Sequence, residues 1–420
     1  MAANFLLTTT RDPVLFLLAF AVVGLVGYLL VVHEGTPEAR RAANIYVALA
    51  ALGEALLFAG LVAFAGHGAL LPGWAVAALV VGFGIKSGLV PLHLWMPGAY
   101  RAASHPAGAV VAGSLINAGL LGWLRFLPLG EVGYAAWGEA LVVAGLAGAF
   151  GGVIVGLGQR RPRTVLAYSS ISQMGWLVVA VGLGLMAPAG WPALEGAVVV
   201  FAVHHGLTKG TLFLAAGGAQ RVTSGVGQGL AAVGLLLPAA ALMGLPGTTG
   251  GAAKDALKHA GSGMAALSLG EWLTWGSVAT TVLVVRFLFL AWPRGGVGLG
   301  PAPVLGWIGA VVAGFLLLGF WVPLGRAHEG LWHSGHVWGA AWPILAAAGA
   351  SALVGWLFPA WLRRLPVLPA GDWLVLMEAG ARRVTAPWRD LSGVVARWWI
   401  PTNRLWGGLK HWLWDPWRYR

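Results

Sequence analysis

The chain has no cysteine and very little charge. None of its 420 residues is a cysteine, so disulfide bonds, iron–sulfur clusters and thiolate metal sites are excluded. Charged residues make up 10% of the chain, whereas a soluble domain carries roughly 25%. The sequence also lacks a CxxCH haem site and a glycine-rich nucleotide fingerprint between a strand and a helix. We therefore expect no cofactor and no metal, and any electrons must be carried by another subunit.

Apolar residues dominate what is present. Hydrophobic side chains account for 58% of the sequence, in continuous runs rather than the alternating pattern of a membrane β-barrel. Windows long enough to span a bilayer lie at 12–33, 43–66, 73–96, 106–128, 133–158, 164–186, 192–219, 229–260, 265–292, 302–323 and 338–361. This pattern predicts an all-α polytopic membrane protein with about eleven transmembrane helices.

Two of these windows are interrupted. The window 229–260 contains G-L-P-G at 244–247, and the window 73–96 contains Pro91. Broken helices at membrane depth are tolerated only where they are packed in protein or line a cavity. Two breaks in separate halves predict inverted-repeat-like halves, as in transporters, although no strong repeat is visible residue by residue. The predicted domains are a first repeat (1–128), a second repeat (129–292), C-terminal transmembrane helices (293–361) and a tail (362–420).

Positive charge is unevenly distributed between the predicted loops. With eleven crossings, one side of the membrane receives the tail from Arg363 and Arg40, Arg41, Arg101, Arg160, Arg161, Arg163, Arg221 and Arg294. The other side receives Arg11, Arg326, Arg125 and Lys258. The positive-inside rule predicts a multi-pass protein of the inner (plasma) membrane, with its N-terminus outside and its C-terminus in the cytoplasm. Because the N-terminus lacks a basic segment and an A-x-A cleavage site, we expect the first apolar run to be retained.

The tail differs in composition from the rest of the chain. Residues 362–420 hold ten Lys and Arg residues and, from Trp373 on, eight tryptophans. Tryptophan favours the lipid headgroup layer and arginine favours anionic lipid, which predicts amphipathic helices lying on the cytoplasmic interface. Packing of the tail on a partner subunit is an open alternative. The net charge of +12 is explained in the same way, without a nucleic acid partner.

Three lysines lie where a membrane helix tolerates them least. Lys86, Lys209 and Lys254 occupy apolar, glycine-rich windows, and they are three of only five lysines in the chain. A cation at the bilayer centre is unfavourable by about 2.5–3.5 kcal/mol on insertion scales, so such a residue usually has a function. A desolvated lysine can release its proton, whereas arginine effectively cannot.

Each lysine has a local context that favours proton transfer. Pro91 follows Lys86 by five residues and lacks an N–H, so it is predicted to open the helix beside the lysine. The alternative is a lysine that extends its amine to the interface. His205 lies four residues before Lys209 and therefore on the same helical face, which suggests a relay. For the adjacent His204, a hydrogen bond to a neighbouring helix is the alternative to a relay role.

Lys254 follows the second break. Its neighbour Asp255 cannot pair with it directly, because side chains at i and i+1 do not face each other. Lys258 follows one turn later, so a solvated helix end is the alternative to a buried site.

Four ordered strings resemble one family of membrane proteins. They are G-I-K-S-G-L-V-P-L-H-L-W-M-P (84–97), which includes His93, R-T-V-L-A-Y-S-S-I-S-Q-M-G (163–175), H-G-L-T-K-G-T-L-F-L (205–214) and G-L-P-G with G-A-A-K-D (244–255). They resemble motifs of the antiporter-like subunits of respiratory complex I, Mrp cation/proton antiporters and membrane-bound hydrogenases. The resemblance spans about residues 40–260, and it implies proton or cation translocation within a larger complex, with Lys254 at the end of the second half-channel.

The chain departs from the family pattern in three respects. The family pairs its first lysine with a glutamate two crossings upstream, and a rough alignment puts Ala21 there. We predict that Glu54, one helix before Lys86, substitutes as the counter-ion; a protonated core carboxyl is the alternative. Between the two lysine sites the family places a Lys or His, and here Asn117 aligns, which can hold water but cannot titrate. The family also has about four more helices at its N-terminus, so the resemblance implies that the repeat at 1–128 is a shortened first half-channel repeat and that 129–292 is a second half-channel repeat.

These observations predict a proton relay through Lys86, Lys209, Lys254, Glu54, His205 and water near Asn117, with His93 and His204 as further candidates. A redox or ion-coupled partner would drive it, because the chain is not expected to be catalytic alone. One rival is a membrane subunit of an inorganic-carbon uptake complex. Another is a structural scaffold that has lost conduction.

Overall fold

A computed structural model describes residues 2–220, 222, 225–262, 268–293 and 334–358. The chain divides into two units, Met1–Gly371 and Asp372–Arg420, and all described residues belong to the first. The predicted helix at 302–323 and the tail at 362–420 lie outside the described residues.

The described part is helical. In chain order its helices are α1 (Ala2–Thr9), α2 (Pro13–Val32), α3 (Pro37–His67), α4 (Gly73–Ser87), α5 (Trp95–Ala102), α6 (His105–Val110), α7 (Ile116–Phe126), α8 (Ala135–Leu157), α9 (Pro162–Met186), α10 (Trp191–Ala219), α11 (Gly225–Met243), α12 (Thr249–Ala260), α13 (Leu269–Ala291) and α14 (Ser334–Leu357). Short 3₁₀ turns occupy Leu92–Leu94 and Pro188–Gly190, and a π-helical segment, Val111–Leu115, joins α6 to α7.

The predicted fold class is confirmed, but not the helix count. Among the described residues, nine helical spans are long and apolar enough to cross a membrane, and Gly227–Met243 forms a shorter apolar helix.

Several helices begin as their sequences dictate, with a capping side chain followed by proline. Asp12 accepts a hydrogen bond from the Leu15 N–H at the start of α2, and Thr36 accepts one from Ala39 at the start of α3.

The first predicted break separates α4 from α5. Gly88 adopts a left-handed conformation (φ +76°), and the Leu89 N–H bonds the Gly84 carbonyl at 2.9 Å, which closes the end of α4. The Trp95 indole N–H then donates to the Ile85 carbonyl at 2.7 Å. Helix α4 therefore ends one residue after Lys86. The Ile85 carbonyl, which lacks a regular i+4 partner within the helix, is bonded by the Trp95 side chain from beyond the break.

The second predicted break separates α11 from α12. Gly244 and Gly247 both have positive φ (+91° and +78°), a conformation that glycine adopts without strain. Thr248 then caps α12 by accepting a hydrogen bond from the Gly251 N–H at 3.2 Å. The single window at 229–260 is thus two helices that meet at a tight turn.

Helix α9 is the centre of the packing. Within its spanning window 94% of the residues are buried, so it contacts protein rather than lipid on nearly all sides. It packs mainly on α8 and also contacts α5, α10 and α13. The lysine-bearing helices α10 and α4 are likewise more than half buried within their windows. Lys86 and Lys209 themselves are buried against other helices.

Candidate functional site

Lys86 lies in a buried polar cluster between α2, α3 and α4. Its side chain is 2% exposed, and its Nζ donates to the Tyr46 hydroxyl at 3.4 Å. The Tyr46 hydroxyl in turn donates to the Gly24 carbonyl at 3.0 Å. Glu54 is half-buried, and its Oε1 lies 3.9 Å from Nζ. At this distance the two charges form an ion pair but are too far apart for a hydrogen bond. The direct hydrogen-bond partner of the amine is therefore Tyr46.

Aromatic rings complete the surroundings of the amine. Nζ lies 4.5 Å from the centroid of the Phe20 ring and 5.5 Å from that of the Tyr46 ring. Such cation–π contacts stabilise a desolvated ammonium by about 2 kcal/mol or more. Sequence reasoning missed both residues. Tyr46 precedes Glu54 by about two turns of the same predicted helix, and this spacing was the available signal.

On α2, Gly24 faces the cluster together with Phe20. A Cβ at Gly24 would lie 2.8 Å from the Lys86 Nζ and 3.0 Å from the Glu54 Oε1. The absence of a side chain at this point is what lets the carboxylate of α3 approach the lysine. Ala21, the position that the rough alignment indicated, is one turn earlier and half-buried.

Two other predicted residues lie between or beside the lysine sites. His93 is 3% exposed and occupies the 3₁₀ turn after the first break. Asn117, on α7, donates its amide to the Gly113 carbonyl at 3.0 Å and to the Ala202 carbonyl of α10 at 3.3 Å. Its Oδ1 is buried and has no hydrogen-bond partner among the described residues. Asn117 therefore joins α7, which packs on the Lys86 helix α4, to α10, which carries Lys209, and its Oδ1 is left as an additional acceptor.

Lys209 and His205 are fully buried on one face of α10. The Nζ of Lys209 donates to the Leu166 carbonyl of α9 at 3.0 Å. Neither ring nitrogen of His205 has a hydrogen-bond partner in the described part of the chain. No hydrogen bond joins the two side chains directly within the described ranges, so a transfer between them needs an intermediary.

His204 points to a neighbouring helix. Its Nδ1 lies 2.9 Å from the Thr249 hydroxyl of α12 and 3.2 Å from the Thr208 hydroxyl of its own helix. This is the hydrogen bond to another helix that the sequence left open as an alternative. Within the described ranges, no group of three or more His, Cys, Asp or Glu residues could hold a metal ion.

Lys254 reaches back across the second break. It is 4% exposed, and its Nζ donates to the carbonyls of Leu242 at 3.2 Å and Met243 at 2.8 Å. These carbonyls end α11, where the helix dipole favours a cation. The side chain of Asp255 turns instead to His259, at 3.4 Å. The lysine is therefore buried at the break rather than solvated at a helix end.

The three buried amines share one kind of environment. Among the described residues, the only carboxylate within 4.0 Å of any of them is Glu54. Their hydrogen-bond acceptors are backbone carbonyls or a tyrosine hydroxyl. These uncharged groups accept hydrogen bonds from a charged ammonium and also from a neutral amine. A lysine held in this way can exchange a proton with a neighbouring water or side chain without breaking a strong ion pair.

Known proteins resemble the chain over about half of its length. It is 32% identical over 244 residues to an uncharacterized protein of Mycobacterium tuberculosis (strain ATCC 25618 / H37Rv), covering 53% of this chain and 38% of the relative. It is 31% identical over 270 residues to an NAD(P)H-quinone oxidoreductase chain 4 of Thermosynechococcus vestitus, covering 57% of this chain and 49% of the relative. The chain thus spans less than half the length of these relatives.

The fold is also found in solved structures. A chain of the Mrp complex from Dietzia sp. superposes with a TM-score of 0.74 at 20% identity, covering 97% of this chain and 49% of that one. The family model for the transmembrane region of NADH:quinone oxidoreductase and Mrp antiporters matches residues 10–280. The resemblance inferred from the four motifs is therefore confirmed, and the chain belongs to the NADH:quinone oxidoreductase/Mrp antiporter transmembrane family as an antiporter-like membrane subunit.

Proposed function

We propose that the chain translocates protons, or another cation, as the membrane subunit of a multi-subunit complex. The observation that carries this proposal is the burial of Lys86, Lys209 and Lys254, which are 2%, 0% and 4% exposed, inside a membrane protein. Lysines so unfavourable in a membrane, and held mainly by neutral acceptors, are suited to gaining and losing a proton.

The proposed path follows the order of the buried polar groups. It runs from Glu54 and Lys86 through water at Asn117 to His205 and Lys209, and then to Lys254 at the second break. The hydrogen bond from the Asn117 amide to the Ala202 carbonyl of α10 supports the step from Lys86 to His205, because the free Oδ1 of the same side chain is placed to accept a hydrogen bond from water. The hydrogen bond between His204 and Thr249 supports the step from Lys209 to Lys254, because it joins α10 to α12, the helix that carries Lys254.

The driving force must come from other subunits. The proteins named above include a quinone oxidoreductase chain and an Mrp complex, which favours a redox or ion-coupled partner. We propose that the protein lies in the inner membrane with its N-terminus outside and its C-terminus in the cytoplasm. Arg101 and Arg161, which are assigned to the cytoplasmic side, both pair with Glu38, and Arg125, assigned to the other side, donates to the Thr10 carbonyl beside Arg11. These contacts group arginines of the same predicted side, which supports the proposed orientation.

A non-conducting scaffold is the second candidate. It is favoured by Asn117, which cannot take up or release a proton between the two lysine sites. The relay and the scaffold differ in one observable, the ion flux through the assembled complex.

Replacing Lys209 tests the relay. We expect the purified complex in proteoliposomes to move protons when its partner reaction runs, and Lys209→Met to lose at least about tenfold in flux, since one station of the path is removed. Lys258→Met is the matched control, because Lys258 is only partly buried and donates to Thr274 at 2.8 Å. Equal flux in an assembled Lys209→Met complex contradicts the relay. A wild-type complex that turns over without moving ions supports the scaffold.

A second variant tests the pairing of Glu54 with Lys86. Gly24→Ala places a methyl group against both side chains, so they must move apart. Because both are flexible at their ends, the fold survives, and we expect flux to fall about three- to tenfold, as a barrier higher by about 0.7–1.4 kcal/mol gives. Gly151→Ala, on α8 with no atom within 4 Å of the added Cβ, is the control. If the two alanine variants conduct equally, the close approach of Glu54 is unimportant for transport.

A further inference from the structure

Two threonine hydroxyls compete for one nitrogen of His204. The Thr249 hydroxyl is 2.9 Å from Nδ1, and the Thr208 hydroxyl is 3.2 Å from the same atom. An imidazole nitrogen either donates one hydrogen or offers one lone pair in the ring plane, so it makes a good hydrogen bond to only one of them at a time. The shorter distance favours Thr249, which comes from a different helix.

Thr249 is the first residue of α12, directly after the second break. The helix start is packed tightly against the imidazole, since a Cβ at Gly250 would lie 2.8 Å from the His204 Cε1. The same Cβ would lie 1.7 Å from the Ala241 carbonyl oxygen of α11. The His204 ring therefore lies at the junction of α10, α11 and α12, where the three helices are tightly packed.

Lys254 is anchored at the same junction. Its amine donates to the Leu242 and Met243 carbonyls, which follow Ala241 at the end of α11. The orientation of His204 and the position of Lys254 thus both depend on the break between α11 and α12. Any movement of the break changes both, because Thr249 and Lys254 belong to the same short helix.

We propose that Thr249 is a positioning residue, which holds Nδ1 of His204 at the broken helix and directs Nε2 into the path between Lys209 and Lys254. Nε2 is buried and has no hydrogen-bond partner among the described residues, so it is the ring atom left to bind a water. Thr208 is the alternative partner, which takes Nδ1 when the start of α12 moves away. This inference rests on the proposed relay and assigns the link between α10 and the second break.

Flux measurements on three variants test the role of the hydroxyl. Thr249→Val removes it with little change in shape, and we expect flux to fall about three- to tenfold, the effect of losing one hydrogen bond. Thr249→Ser keeps the hydroxyl and is expected to restore flux to within about twofold of wild type. Thr211→Val is the control, because the buried Thr211 hydroxyl donates only to the Leu207 carbonyl of its own helix, at 2.8 Å. Equal flux in the valine and serine variants of Thr249 overturns the proposal.

A spectroscopic measurement separates this inference from transport itself. In the whole complex labelled with ¹⁵N-histidine, the His204 ring signals are identified by their loss in His204→Asn. We expect the Nδ1 signal to shift in Thr249→Val and to keep its wild-type position in Thr249→Ser and in Thr208→Val. A signal that moves in Thr208→Val, or that is unmoved in an assembled Thr249→Val complex, overturns the proposal. A shift as expected in a complex that moves no ions retains the positioning role and rejects the proposed function.

Discussion

Replacing Lys86 by alanine is expected to reduce proton flux through the reconstituted complex to the level of protein-free vesicles. The amine is the only titratable group of α4 in its buried cluster, and it lies beside the break that opens the helix. Without it, Tyr46 donates only to the Gly24 carbonyl, and Glu54 has no basic partner within 4.0 Å among the described residues. Flux is measured as uncoupler-sensitive pH change inside the vesicles while the partner reaction runs.

Lys86→Arg distinguishes a relay from a structural charge. Arginine keeps the positive charge and can still contact Tyr46 and Phe20, but it does not release its proton. We therefore expect an assembled Lys86→Arg complex to conduct no better than Lys86→Ala. Wild-type flux in the arginine variant would mean that Lys86 only balances the charge of Glu54, and normal flux in an assembled alanine variant would remove Lys86 from the path altogether.

Replacing Gly250 by alanine is expected to destabilise the second break more than any other single methyl group added to a described glycine. The added Cβ would lie 1.7 Å from the Ala241 carbonyl oxygen, a backbone atom that cannot rotate away, and 2.8 Å from the His204 ring. Overpacking typically destabilises by about 1–3 kcal/mol, and a clash with backbone belongs at or above the upper end of that range. The measurement is the midpoint of thermal unfolding in detergent.

Gly229→Ala on α11 is the matched control. No atom lies within 4 Å of a Cβ at Gly229, and alanine is a better helix former than glycine by about 1 kcal/mol. Its unfolding midpoint is expected to equal or exceed that of wild type. If Gly250→Ala unfolds at the same temperature as Gly229→Ala, the tight junction between α11, α12 and His204 is not present in the protein.

Much of the fold could be predicted from the sequence. The windows at 12–33, 133–158 and 164–186 match α2, α8 and α9 closely. Lipid leaves no partner for exposed backbone groups, so a run of about 20 apolar residues has to be a helix. The ends of the helices were predicted less accurately than their existence. Helix α3 begins at Pro37, before its window, because Thr36 and Pro37 start a helix in a polar segment that hydropathy does not detect.

The candidate site could be predicted only in part. Lys86, Lys209 and Lys254 were visible because a lysine is out of place in an apolar window. Glu54 was visible for the same reason. Tyr46, Phe20, Gly24 and Thr249 were not, because tyrosine, phenylalanine, glycine and threonine are ordinary residues of membrane helices. Their importance comes only from which side chain of another helix they meet.

The sequence by itself determined that this is a helical membrane protein, that two of its membrane segments are broken, and that three lysines lie within apolar segments. These features depend on local composition and on the solvent, because the bilayer penalises unpaired backbone groups and charges wherever they occur. Only the tertiary structure decided the partner of each lysine, which is Tyr46 for Lys86, the Leu166 carbonyl for Lys209 and the end of α11 for Lys254. The physical reason is that these contacts join residues far apart in the chain, and their distances follow from how the helices pack rather than from any spacing in the sequence.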